Sequence, residues 1–274
     1  MYKDYYRLRE EPFNITPDPR FLYFTAQHRE ALNHLLYGIR RRKGFTVLTG
    51  EVGTGKTTIC RALLEELGGG YHTALILNPM LTETQLLRAT LAEFGVQSKR
   101  LDRLGYLRLL NDYLLRINSA GRDAVLIIDE AQDMARRTLE MTRLLSNLET
   151  HRQKLLQIVL VGQPELRTKL RSPALRQLAQ RITVRFHLGK MSPEETAGYL
   201  RYRMAVAGSI PTGGQQIIRF DPSAVREIYR FSKGTPRLVN AVGDKALLAG
   251  YVYRAGQIDK RLVRLAVEEL REAG

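Results

Sequence analysis

Apolar positions along the chain follow two regimes. Between residues 45 and 188, short unbroken runs of β-branched and aliphatic residues alternate with longer stretches of helical spacing. Phe45–Thr49, Ala74–Asn78, the run Val125–Ile128 and the stretch Leu155–Gln163 read as buried strands of a parallel sheet, whose strands are apolar on both faces. Thr183–Leu188 alternates and is read as ending the sheet. Helices are predicted over 26–41, where Ala31, Leu32, Leu35, Leu36 and Ile39 share one side, and over 58–67, 82–94, 102–118, 136–149 and 173–181. Beyond Met191 the strand pattern does not recur. Ser192-Pro193-Glu194-Glu195 is a helix start, with a Ser cap, Pro at the first position and an acid at the third. Helices near 193–207, 222–231, 236–251 and 259–272 follow, with Gly208–Gly214 as a loop.

The first run leads straight into Gly50-Glu51-Val52-Gly53-Thr54-Gly55-Lys56-Thr57, which fits the phosphate-loop pattern G-x-x-x-x-G-K-[ST]. A strand precedes it and a helix, opening with Thr58, follows. Glycines let the backbone fold tightly, so that successive N–H groups converge on phosphate oxygens at the positive end of the new helix. Lys56 would reach the β and γ phosphates and the Thr57 hydroxyl would ligate Mg²⁺. The run Val125–Ile128 ends in Asp129-Glu130. Alone, such a pair is a solvated strand end. Beside a phosphate loop it predicts Asp129 holding Mg²⁺ through water and Glu130 orienting the attacking water. Gln163, at the end of the next run, is expected near the γ-phosphate; a nucleotide-sensing role and a solvated terminus both stand open. The reading is therefore a doubly covered α/β domain over 1–190 that binds ATP and Mg²⁺, and a small all-helical domain over 191–274.

Residues 1–24 are rich in aromatics, including Tyr5, Tyr6, Phe13, Phe21, Tyr23 and Phe24, with prolines that exclude a regular helix from Pro12 to Pro19. An irregular arm packed on the main domain is expected. The single cysteine, Cys60, permits no internal disulfide and is read as packing on the phosphate-loop helix. The histidines and Cys60 form no zinc pattern. No secretory leader and no apolar run of membrane-spanning length is present, so the expectation is a cytoplasmic protein without a membrane span. Net charge is +15, and residues 131–190 carry 12 basic against 4 acidic side chains, a net +8. Such a surface can meet nucleic acid, anionic lipid or an acidic partner, or lend arginines to a neighbouring subunit.

The phosphate loop, the Asp-Glu strand end, the polar strand terminus and the helical lid together resemble the AAA+ ATPases. That resemblance implies that Arg237, in Gly234-Thr235-Pro236-Arg237-Leu238-Val239-Asn240, is a lid arginine directed at the γ-phosphate. Closer still, Tyr5-Tyr6, the segment from Pro12-Phe13-Asn14-Ile15-Thr16-Pro17-Asp18-Pro19 to Tyr23, Asp129-Glu130-Ala131-Gln132, Val161–Leu166 and Leu175–Ile182 are similar to the general secretion pathway protein A (ExeA-like) ATPases. The resemblance spans nearly the whole chain. It implies a ring- or filament-forming ATPase in which Arg181, or else Arg176, reaches the neighbour's site. Longer secretion members resemble this chain only in their cytoplasmic part and continue into a membrane span and a peptidoglycan-binding region, so the sequence is either a piece of such a protein or a stand-alone member. Three functions follow. One is a secretion- or pilus-associated ATPase that drives assembly. Another, favoured by the charge, is a duplex-DNA-bound AAA+ regulator similar to transposition ATPases that recruit a transposase. The third is a slowly hydrolysing nucleotide-gated scaffold.

Overall fold

Alternate residues of the central strands face opposite ways, and both faces are apolar. In the computed structural model, which describes residues 1–14, 19–151, 153–208 and 218–272, the strands are β1 Phe45–Gly50, β2 Tyr71–Ile76, β3 Asp123–Ile128, β4 Leu156–Gly162 and β5 Ile182–Leu188. All pair in parallel, in the order β2-β3-β4-β1-β5. The helices are α1 Tyr2–Tyr5, α2 Ala26–Arg40, α3 Lys56–Leu67, α4 Glu83–Glu93, α5 Arg103–Ser119, α6 Arg136–Leu145, α7 Pro164–Leu170, α8 Arg176–Arg181, α9 Pro193–Ala207, α10 Pro222–Ser232, α11 Pro236–Val252 and α12 Lys260–Glu272. Ile15, Thr16, Pro17 and Asp18 of the expected arm and residues 209–214 of the expected loop lie outside the described residues.

Contacts divide the chain into two compact units. One comprises Ala26–Glu51 and Lys56–Leu188 and holds the sheet. On one face, Leu126, Ile128, Ile158 and Leu160 pack with Leu87 and Leu91 of α4, Leu110 and Leu114 of α5 and Leu139 of α6. On the other, Val125, Ile127, Val159 and Val161 pack with Leu35 and Ile39 of α2 and Ile59 and Leu63 of α3. This two-sided burial is why the strands read as continuous apolar runs. β5, at the sheet edge, instead alternates buried Ile182 and Val184 with exposed Thr183 and Arg185, as expected.

The second unit comprises Met1–Thr25, Val52–Gly55 and Gly189–Gly274. Its core joins Met191, Tyr199 and Leu200, Ile228 of α10, Val239, Val242 and Leu247 of α11, and Val263 and Val267 of α12. Tyr2, Leu8 and Phe13 belong to the same core, so the aromatic arm, expected to pack on the main domain, packs with the C-terminal helices. The physical cause is visible in the contacts. The Arg203 guanidinium donates to the Pro12 carbonyl at 2.5 Å and the Asn14 carbonyl at 2.9 Å, and covers the Phe21 ring at 4.7 Å. The start of α9 carries the expected reciprocal cap: Ser192 Oγ accepts from Glu195 N at 3.1 Å and Glu195 Oε2 accepts from Ser192 N at 2.9 Å.

Other boundaries move for local reasons. β2 begins three residues before the expected Ala74, because its ladder with β3 already starts at Tyr71 opposite Asp123. It stops at Ile76, where the turn at Asn78-Pro79 takes over, Asn78 Oδ1 accepting from Met80 N at 3.3 Å. α6 ends at Leu145, short of Glu149, since the Ser146 hydroxyl donates back to the Arg143 carbonyl at 2.7 Å and Glu149 bridges antiparallel to Lys154. α7 was not anticipated; Pro164 at its first position starts it directly after Gln163.

Candidate active site

β1 ends at Gly50 and α3 begins at Lys56, so the intervening loop sits at a helix N-terminus. Gly53 and Gly55 take φ of +76° and +98°, a region that side-chain-bearing residues avoid. Gly50 remains extended as the last residue of β1. Lys56 is only 6% exposed and its ammonium donates to the main-chain carbonyls of Gly50 and Glu51 at 2.9 and 3.0 Å. Burial pulls its pKa below the usual lysine range, opposed by the carboxylates of Glu130, Asp129 and Glu51. Val52 is exposed, Thr54 is buried and Thr58 lies half-buried in the first turn of α3.

Asp129 follows β3 and extends its ladder, its N–H reaching the Ile76 carbonyl at 2.9 Å. It is 2% exposed. Its Oδ2 accepts from the Thr57 hydroxyl at 2.8 Å, and its Oδ1 from the Glu130 N–H at 2.9 Å. Glu130 is left-handed, with φ 50° and ψ 36°. For a residue with a side chain this costs about 1–3 kcal/mol. Because β4 lies between β1 and β3, Gln163 at the end of β4 falls between the phosphate-loop strand and the acid pair. Gln163 Nε2 lies 3.3 Å from Glu130 Oε2.

A second amide, Gln132, completes this cluster. It donates to Glu130 Oε2 at 2.7 Å and accepts from the Gln163 N–H at 3.0 Å. The sequence reading did not give it a role, although its place two residues after Glu130, where an acid-bearing turn would fold back, was a usable signal. The structure thus brings Lys56, Thr57, Asp129, Glu130 and Gln163 to one end of the sheet.

Comparison with known proteins agrees with this geometry. Residues 39–170 match the AAA domain family. The chain is 46% identical over 271 residues, 98% of its length, to general secretion pathway protein A of Aeromonas hydrophila. Over nearly its whole length the chain is similar to the AAA+ proteins of the general secretion pathway protein A type. It spans 48% of that curated relative. The fold is shared with the ORC2 protein of Aeropyrum pernix, solved with ADPNP and ADP, at a TM-score of 0.67 and 17% identity over 95% of this chain and 71% of that one. It is also shared with Cdc6p of Pyrobaculum aerophilum, at 0.72 and 16% over 94% and 70%. The RuvB Holliday junction branch migration motor of Thermotoga maritima gives 0.58 and 18% over 88% and 69%.

The remaining arginines of this chain stand elsewhere. Arg181 closes α8 immediately before β5, whose first residue Ile182 pairs with Phe45 at the start of β1. The phosphate loop follows the other end of β1, roughly 20 Å away for a six-residue strand. Arg181 donates to the Ser146 hydroxyl at 2.8 Å and to the Asn147 amide oxygen. Arg176, the first residue of α8, is exposed. Arg237 is exposed in the first turn of α11, within the unit that also holds Val52–Gly55. Its N–H faces the Gly53 carbonyl at 3.4 Å, and a Cβ on Gly53 would stand 2.7 Å from the Arg237 Cβ. Gly53 is therefore demanded twice, by its φ and by this approach. At the end of β5 the His187 ring lies 3.0 Å from the Thr49 hydroxyl, and burial, with the Arg167 cation nearby, holds it below the usual imidazole range. Cys60 is fully buried and burial pushes its thiol up, as befits a packing residue.

The donor set suits Mg²⁺ and a nucleotide. A hydroxyl and a carboxylate already in contact, Thr57 and Asp129, form the kind of sparse oxygen site that Mg²⁺ shares with phosphates and water. Among the described residues no group of three or more His, Cys, Asp or Glu could hold a metal ion. Nor, among them, is any helix long and apolar enough to cross a membrane.

Proposed function

We propose that the chain hydrolyses ATP with Mg²⁺, acting as an oligomer whose sites are completed by a neighbour's arginine. The observation that carries this reading is the meeting of Lys56, Thr57, Asp129, Glu130 and Gln163 at one end of the sheet. Main-chain N–H groups between Glu51 and Thr57 would receive the phosphates at the start of α3. Lys56 would exchange the Gly50 and Glu51 carbonyls for phosphate oxygens. Thr57 and Asp129 would hold Mg²⁺, which when bound neutralises phosphate charge. Glu130 would orient water and take its proton as the water oxygen bonds the γ-phosphorus and the bond to ADP breaks. Gln163 would contact the γ-phosphate, and Arg237 would approach it from the helical domain.

Arg181 supports the oligomer. It stands at the opposite end of the sheet from its own phosphate loop, so its use in catalysis requires another subunit; exposed Arg176 is the second candidate. The relative's name supports a secretion-pathway role; we extend the reading to a cytoplasmic ATPase that drives assembly of a secretion or pilus machine. Turnover of Mg-ATP per subunit should rise with protein concentration, and Lys56→Ala should abolish tight ATP binding. Turnover independent of concentration would remove the shared site, and unchanged ATP affinity in Lys56→Ala would remove the nucleotide assignment.

The excess charge favours a second reading, ATP-dependent binding to duplex DNA with recruitment of a transposase. Twelve basic side chains against four acidic ones over residues 131–190 are the supporting observation. Binding that weakens steeply with salt would support it, and none at low salt with ATP present would dismiss it.

A further inference from the structure

We propose that Gln132 is a positioning residue for hydrolysis, one that locks the Glu130 carboxylate to the end of β4; this rests on the ATP-hydrolysis reading above. Glu130, Gln132 and Gln163 form a closed ring of hydrogen bonds. Gln132 Nε2 donates to Glu130 Oε2 at 2.7 Å, Gln132 Oε1 accepts from the Gln163 N–H at 3.0 Å, and Gln163 Nε2 meets the same Glu130 oxygen at 3.3 Å. Both donors fall on Oε2, so Oε1 would be the oxygen that serves the attacking water. A primary amide is the group this position requires, because it must donate to a carboxylate at one end and accept from a main-chain N–H at the other. A carboxylate there would repel Glu130.

The surroundings are built to hold Gln132. The second hydrogen of its NH₂ group goes to Asp133 Oδ2 at 3.2 Å. Lys169 of α7 donates to the Gln132 carbonyl at 2.8 Å and to the Met134 carbonyl at 2.5 Å, which fixes the turn that carries it. A Cβ on Gly162 would stand 2.8 Å from Gln132 Oε1. Gly162 does not have positive φ, so space, for the amide and for Leu166 at 3.0 Å, is what calls for glycine there.

The test compares wild type, Lys56→Ala, Gln132→Ala, Gln163→Ala and the double variant Gln132→Ala/Gln163→Ala. The measurements are kcat, affinity for a fluorescent ATP analogue, and Tm. Gln132→Ala should lower kcat by roughly 10–100-fold while affinity and Tm hold, since misplacing a reacting group costs rate rather than binding. The double variant should lose little more than the worse single, because the ring is already open. Unchanged or faster turnover in Gln132→Ala, a loss confined to affinity or Tm, or single effects that multiply would each overturn the inference. Wild-type turnover no better than Lys56→Ala would bring down the ATPase reading and this one together. Active wild type with an indifferent Gln132→Ala would bring down this one alone.

Discussion

At the residue scale, the proposed hydrolysis would hang on amides as much as on acids. Asp129 is fixed on both oxygens, by the Thr57 hydroxyl and the Glu130 N–H, and has no freedom to wander. Glu130 is held by side chains from its own turn and from the end of β4. Gly162→Ala offers a sharp check of this arrangement. The new methyl would press on the end of the Gln132 side chain at 2.8 Å and on buried Leu166 at 3.0 and 3.3 Å, so Gln132 has to shift and the core around Leu166 has to give. Turnover should therefore fall several-fold, and unfolding stability should fall with it by the ~1–3 kcal/mol of an overpacked site. A fall in stability with turnover intact would contradict it. Glu130→Gln, which removes the proton acceptor and keeps the shape, should cut kcat by about 10²–10⁴ and leave ATP bound; equilibrium binding and single-turnover kinetics separate the two.

At the scale of elements, small residues on helices meet aromatics of the N-terminal arm. A Cβ on Gly243 of α11 would stand 2.9 Å from the Phe13 ring, and one on Gly198 of α9 would collide with the Tyr23 hydroxyl. Arg203, buried between the Phe21 and Tyr199 rings, ties the arm down through two main-chain carbonyls. Arg203→Ala strips those carbonyls of their charged donor and should lower unfolding stability by about 3 kcal/mol, read as a shift of the urea transition at constant slope. Arg203→Lys keeps a charge but not the forked geometry, so it should recover only part of the loss. The turn Lys233-Gly234 has a different logic. Both residues are left-handed, and a Cβ on Gly234 would strike the Met191 carbonyl, so the connection between α10 and α11 tolerates glycine alone there.

At the scale of the whole molecule, the separation of Arg181 from its own phosphate loop makes a complementation experiment decisive. Glu130→Gln subunits keep the arginine and lack the acid, and Arg181→Ala subunits keep the acid and lack the arginine. Each alone should be nearly inactive, a trans arginine contributing about 10³–10⁵ in comparable NTPases. A mixture should regain measurable turnover, and a mixture no better than its parts would place Arg181 outside the shared site.

Much of this was legible from one sequence. Spacing in the phosphate loop, the apolar run before Asp129-Glu130 and the cap at Ser192 are local signals, because each depends on residues a few positions apart meeting through backbone geometry. The alternation of buried runs with helical stretches was enough for a parallel sheet covered on both faces. Order within the sheet is not local. That β4 lies between β1 and β3, which seats Gln163 beside Glu130, follows from packing of whole strands and has no sequence spacing of its own. The same holds for Gln132, whose partners sit two and thirty-one residues away. It holds too for the arm, whose aromatics had to choose between two apolar surfaces and went to the one where Arg203 and glycine-lined helices receive them. Sequence alone determined the chemistry each segment could offer, since that resides in residue types and their near neighbours. Tertiary structure alone decided which of those groups meet, because long-range pairing is set by burying complementary surfaces.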